Sequence, residues 1–293
     1  MTSVNGRNRN GVFEIFKLIM LFWLALSHAF FISPSSITAT GRVGAFFLFM
    51  LGGYFLLPNI KIVEDLPFFK GLGKLMLSNI KEFGVSFILS IFFGFIFLLM
   101  YDLFFVISFV LYLPAMLLCF ALIFTLRKMV KSQKIFIPLL IVLAFACYIL
   151  SCATILKDLI FFQAMSGVCI GTLLSLIKKI PLSVKPLIIA MVVIMSALAL
   201  PIMVVLENSH LFCLVGFPLL IYFVGCLDYE SDICDFIGSF SYGLLLNISI
   251  LFVVFWRPII ENGMFVLVFF AVFLITPLTR LLDHTIKYIL EDK

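Results

Sequence analysis

Long apolar runs separated by short polar breaks fill this chain from end to end. Crossing the hydrocarbon core of a bilayer takes about 20 predominantly apolar residues in a helix. Ten runs meet or approach that length, at roughly 12–32, 44–60, 83–100, 104–125, 136–156, 159–177, 185–206, 210–226, 237–256 and 263–281. A backbone in lipid has no water to bond, so spans of this kind must be helical. Links as short as Tyr101–Leu103 and Lys157–Asp158 predict tight antiparallel helical hairpins. No internal repeat, Gly-Ser linker or low-complexity arm interrupts the pattern. The expectation is one all-α integral membrane domain over residues 1–293, a bundle of about ten transmembrane helices.

Composition agrees. The chain is 64% hydrophobic and 12% charged, with 37 Phe, whereas soluble domains carry about 25% charged residues. A soluble core has no room for this much apolar side chain, whereas a lipid-facing surface does. The first run follows a basic stretch (Arg7, Arg9) but is long enough to span and lacks a well-placed small-x-small cleavage site. It is therefore expected to be a retained helix and not a signal peptide. Seven cysteines occur without any CxxC pair and mostly inside apolar runs, as expected of small packing residues, and no metal site is expected.

The net charge of +5 does not imply a nucleic-acid partner, because the basic residues follow membrane topology. With the N-terminus placed in the cytoplasm, seventeen of the 20 Lys and Arg fall in cytoplasmic segments. Only Arg42, Lys157 and Arg257 fall outside. The positive-inside rule then predicts an even number of crossings with both termini cytoplasmic, in a multi-pass protein of the cell membrane. The acidic link Asp228–Asp235 does not disturb this, since acids contribute little to the rule.

Ionisable residues inside spans are costly, at roughly 2.5–3.5 kcal/mol each or more, and tend to face a cavity or a partner. The first span carries Glu14, Lys17, Ser27 and His28. Lys17 and His28 are eleven residues apart, which returns to within about 20° of the same direction, about 16 Å further along the axis. Glu14 sits one turn below on nearly the same face. This stripe predicts a polar cleft entering the bilayer. The alternative is that Lys17 snorkels to headgroups with Glu14 pairing at i, i+3. An imidazole with an ordinary pKa near 6.5 suits proton transfer, whereas His210 and His284 lie at span ends. Arg42 at the outer edge of the second span either anchors the helix or meets an anionic group. Gly52 and Gly53 there permit close approach or local unwinding, and Tyr54 adds a hydroxyl. Lys70 and Lys74, one helical turn apart after the second span, suit either phosphates or lipid headgroups. Ser239, Ser241, Tyr242 and Asn247 open the ninth span, and Gly167 and Gly171 make a packing pair in the sixth.

Three phrases, in this order, resemble the membrane acyltransferase-3 family. They are Lys17, ten intervening residues and His28 followed by Ala29 and Phe30; GAFFLFMLGGYFL in the second span; and IGSFSYGLLLNISI in the ninth. The family acylates glycan hydroxyls with a cytoplasmic acyl-CoA. The resemblance implies acetyl-CoA, or another acyl-CoA, as donor and a glycan or lipid-linked glycan as acceptor. It implies His28 as the catalytic histidine and Lys17, Lys70 and Lys74 along the donor path; Glu14, on the same stripe as His28, is the second catalytic candidate. Arg42, Tyr54, Ser241 and Tyr242 would then face the acceptor. The chain departs from the family pattern at Gly52 (usually Ser), at Leu245 (usually Tyr), at the late His, which falls on Ile248 or Asn247, and in lacking an arginine pair after the second span.

A flippase for a lipid-linked glycan and a catalytically silent partner protein use the same kind of cleft, and both stand beside the acyltransferase reading; self-association is left open. The topology has a direct check. Green fluorescent protein fused after Lys293 should fluoresce, and alkaline phosphatase at the same place should be inactive; an active phosphatase would overturn the even crossing number.

Overall fold

The two most closely packed helices owe their contact to glycine. In this computed structural model the described residues are 11–29, 37–80, 104–152, 160–179, 186–195, 212–227, 274–278, 281 and 285. Among them no strand occurs. The helices are α1 (Gly11–Ala29), α2 (Ile37–Val63), α3 (Phe68–Ile80), α4 (Phe104–Met129), α5 (Gln133–Cys152) and α6 (Ile160–Leu174). They continue with α7 (Pro186–Met195) and, after a π-turn at Phe212–Gly216, α8 (Phe217–Cys226). The expected spans at 83–100 and 237–256 lie outside the described residues, and that at 263–281 is described only at 274–278 and 281. Two helical stretches, Gly44–Val63 and Gln133–Cys152, are long and apolar enough to cross a membrane.

The centre is α6, buried from Ala164 to Thr172 except at the partly exposed Ile170. Its most extensive partner is α2. A Cβ on Gly171 would lie 1.8 Å from the Met50 carbonyl oxygen, and one on Gly53 2.1 Å from that of Val168. Gly167 sits against Phe46, Phe49 and Met50 in the same way. Successive residues of α6 therefore meet successive residues of α2, and the two helices run parallel. Gly53 and Gly171 serve close approach, and α2 continues unbroken from Ile37 to Val63 without local unwinding. Thr172 adds a bond across the contact, its hydroxyl donating to the Gly53 carbonyl at 3.2 Å and to that of Val168 at 2.8 Å.

From this axis α2 reaches three further helices with one aromatic cluster. Phe46 meets Tyr148 of α5 at 5.9 Å, Phe47 meets Phe217 of α8 at 5.1 Å, and Phe49 meets Tyr112 of α4 at 5.7 Å between ring centroids. The α2–α4 register is constant. Phe49 pairs with Tyr112, and fifteen residues further along both segments Glu64 pairs with Arg127 at 3.2 Å. These helices are parallel too. The Lys128 ammonium donates to the carbonyls of Glu64 and Leu66 and lies over Phe124, tying the α2–α3 link to the end of α4. Two basic segments far apart in the chain, 61–74 and 127–134, thus share one end of the bundle. At α8, the Tyr222 hydroxyl donates to the Lys178 carbonyl at 2.8 Å, which ties the end of that helix to the link after α6.

Surface polarity is inverted relative to a water-soluble helix bundle. On α1, Glu14 and Lys17 are buried while Ile15 and Ile19 face outward. On α5, Phe136, Leu140, Ala144 and Cys147 form the one buried stripe. Its outer face shows Leu139, Ile141, Val142, Phe145, Ile149 and Leu150. A large exposed apolar face of this kind marks a surface that contacts a membrane or another protein. Of the cysteines described, Cys119, Cys147, Cys169, Cys213 and Cys226 are buried and Cys152 is exposed, and none of the six forms a disulfide with another described residue.

A bulky side chain at the α2–α6 contact must push backbone from backbone. Gly171→Leu is expected to destabilise the protein by about 3 kcal/mol or more. Gly73→Ala, where a Cβ meets nothing within 4 Å, should instead stabilise by about 0.5–1 kcal/mol through helix propensity. Thermal unfolding in detergent compares the two, and a Gly171→Leu protein as stable as wild type would contradict the packing.

Candidate functional site

The inner face of α1 is a stripe of Phe13, Glu14, Lys17, Met20 and Leu21, all buried. At about 100° per residue these positions span some 120° of the helix, with Lys17 at the middle. A helix placed against an apolar core normally puts its charges elsewhere; this one centres its buried face on an ammonium. Lys17 is 3% exposed and Glu14 5%, and the Lys17 ammonium donates to the Glu14 carboxylate across i, i+3. Of the alternative reading, the i, i+3 pairing with Glu14 is present, and the snorkelling of Lys17 toward headgroups is not. Lys17 turns inward to its acid and does not run out along the lipid side.

Burial makes the pair consequential. Desolvating each ion costs several kcal/mol, which the mutual attraction and hydrogen bonding must offset. The two charges neutralise one another locally and leave a strong dipole within the protein. An entering anion competes with Glu14 for the ammonium, and an entering cation competes with Lys17 for the carboxylate.

Tyr54 of α2 joins α1 at the same level. Its ring lies 5.4 Å from that of Phe13, one helical turn before Lys17, and 5.3 Å edge-on from Phe55. Phe13 also meets Phe55 at 5.4 Å. The Tyr54 hydroxyl runs up to α8 at Gly225, where a Cβ would come within 2.3 Å of its oxygen. Three helices therefore converge: α1 supplies the ion pair, α2 the phenol, and α8 a glycine that leaves room for it. Neither Gly225 nor Phe13 stood out in the sequence. The one available signal was a glycine inside the apolar run FPLLIYFVGC, and such a glycine often marks close approach.

The other expected site residues are distributed as follows. His28 belongs to the last turn of α1 and Arg42 to the first turns of α2; their side chains lie outside the described set. Lys70 and Lys74 are exposed on α3, which packs on α2 and α4. Ser241 and Tyr242 lie outside the described residues. The structure thus pairs Glu14 with Lys17, sets Tyr54 against Phe13 of the same α1 face, and leaves Lys70 and Lys74 on an outward face.

No family model, curated protein or solved structure matches this chain. What the described residues define is an all-helical protein with two helices capable of crossing a membrane and a buried ion pair at a three-helix junction.

Removing one partner of a buried pair strands the other. Lys17→Met is expected to cost about 3–5 kcal/mol, and Glu14→Gln a similar amount. The double variant should recover most of that loss, since a neutral pair of similar volume avoids desolvation. A double-mutant cycle on thermal stability measures this; strictly additive losses would show that the pair is not coupled.

Proposed function

We propose that this chain is a ten-span membrane O-acyltransferase with both termini cytoplasmic. It would move an acetyl group from cytoplasmic acetyl-CoA to a hydroxyl of a cell-surface polysaccharide or its lipid-linked precursor. The observation that carries the reading is the buried Glu14–Lys17 pair on the helix that also bears His28. Two features support the topology: the parallel run of α2, α4 and α6, as required of alternate spans, and the gathering of two basic segments at one end. The resemblance of the Lys17–His28, GAFFLFMLGGYFL and IGSFSYGLLLNISI phrases to the acyltransferase-3 family supplies the reaction class.

Each residue has a chemical task in this reading. Lys17 offers a cation inside a low-dielectric junction, where a phosphate of the donor displaces Glu14 and gains a strong charge-assisted bond. Tyr54 presents a hydroxyl toward Gly225 of α8 at the same three-helix junction. His28, about 16 Å further along the same helix, is the base. Its neutral imidazole takes the proton of the acceptor hydroxyl while that oxygen attacks the thioester carbonyl. The carbon–sulfur bond breaks, the ester forms, and the proton passes to the departing thiolate. General-base catalysis of this sort contributes roughly 10²–10⁴-fold.

The purified protein in proteoliposomes with acetyl-CoA and its native glycan acceptor should form ester-linked acetate. His28→Ala should lower that rate by roughly 10²-fold or more, and Lys17→Met should raise KM for acetyl-CoA more than it lowers kcat. Acetate detected by NMR at equal levels in wild type and His28→Ala would remove His28 from the chemistry. A change in glycan sidedness without acylation would instead establish a flippase.

A further inference from the structure

Helix α3 has an outward sector that water alone does not explain. Phe69 is 84% exposed and Leu77 53%, and Lys70 and Lys74 are exposed as well. On a helix of 100° per residue, Phe69, Gly73 and Leu77 form one row, and Lys70 and Lys74 form a second row roughly 80° around the axis. The opposite side is fixed to the protein. Leu75 is fully buried, Phe68 packs on Phe124 at 5.7 Å, and Gly71 leaves only about a Cβ's width to Phe124 and to the Val63 carbonyl, each 3.0 Å from where that Cβ would lie. The link before α3 is held by Lys128 through the carbonyls of Glu64 and Leu66. The helix is therefore a rigid part of the bundle end and presents its two rows at a set orientation.

From this we infer that α3 is an interfacial helix that docks on anionic phospholipid headgroups. The apolar row enters the boundary between headgroups and acyl chains while the lysine row meets lipid phosphates, the division of labour of an amphipathic helix lying in a membrane surface. Charge complementarity selects the occupant. Lys61, Lys131 and Lys134 are exposed on the same basic segments beside one exposed acid, Asp65, whereas Glu64 is engaged by Arg127 at 3.2 Å, so the described part of this end is cationic. The inference rests on the membrane placement of the bundle and is independent of acyl transfer. It assigns Lys70 and Lys74 to lipid and not to the acyl donor.

The test uses the full chain in bilayers of phosphatidylcholine, with and without phosphatidylglycerol, and a trace of photoreactive lipid of either headgroup. Cross-linked peptides are then located by mass spectrometry. Residues 68–80 should be labelled preferentially by the phosphatidylglycerol probe. Lys70→Gln and Lys74→Gln should each weaken that preference roughly fivefold, both arginine variants should keep it, and Phe69→Ser with Leu77→Ser should reduce labelling by both probes. Equal labelling by the two headgroups, or an unchanged preference in the double glutamine variant, would overturn the inference. Displacement of the phosphatidylglycerol probe from α3 by excess free CoA would also overturn it, in favour of donor phosphate. Labelling of other segments without α3 removes this inference alone, whereas absence of labelling anywhere removes the membrane placement itself.

Discussion

Everything described in this protein hangs on two backbones lying almost in contact. Where Gly53 faces Val168 and Gly171 faces Met50, α2 and α6 have no side chains between them. In a medium as apolar as leucine, burying apolar surface gives helices little reason to associate, and dispersion between closely fitted surfaces takes over. Small residues deliver that fit, and the Thr172 hydroxyl adds a polar tie to the Gly53 carbonyl. Because α2 is held so tightly, its phenylalanines at 46, 47 and 49 are aimed at α5, α8 and α4 respectively. The arrangement of four helices follows from one close approach.

The candidate site inherits its position from that framework. Tyr54 lies one turn beyond Met50, so the contact that seats Met50 on Gly171 also sets the phenol between α1 and Gly225 of α8. The ion pair of α1 then sits beside an element that does not yield. A charged pair in such a place is a poor way to stabilise a fold, since apolar residues of the same volume do as well or better. Its place at the centre of the buried face of α1 is the observation on which the proposed recognition of a charged group rests.

Much of this was legible in the residues. Lengths of apolar runs placed the helices, and the described bounds of α1, α2, α4, α5 and α6 overlap the runs at 12–32, 44–60, 104–125, 136–156 and 159–177. The extension of α2 back to Ile37 was less visible, because Thr38, Thr40 and Arg42 interrupt the apolar pattern although they do not break a helix. Helix α3 was seen only as a loop with two lysines one turn apart. Thirteen residues with two glycines are too short and too mixed to read as a span, and its inner stripe gains meaning only once Phe124 and Val63 lie behind it. At the site, Glu14, Lys17 and Tyr54 were legible because ionisable and hydroxyl groups in apolar runs are conspicuous; Phe13 and Gly225 were not, because they resemble every other apolar position around them.

Sequence by itself determined the helical character and the approximate bounds of the described elements, since those depend on local composition and on the period of a helix. It also left Lys17 two readings, lining a polar cleft, or paired with Glu14 and snorkelling to headgroups. The tertiary structure kept the pair and turned it inward, because which side of α1 faces protein depends on its contact with α2 and α8. It likewise decided that Gly53 and Gly171 serve close packing and not unwinding, and that Lys70 and Lys74 share an outward face with Phe69 and Leu77. Those outcomes depend on what lies opposite each residue, and no stretch of chain specifies its own neighbours.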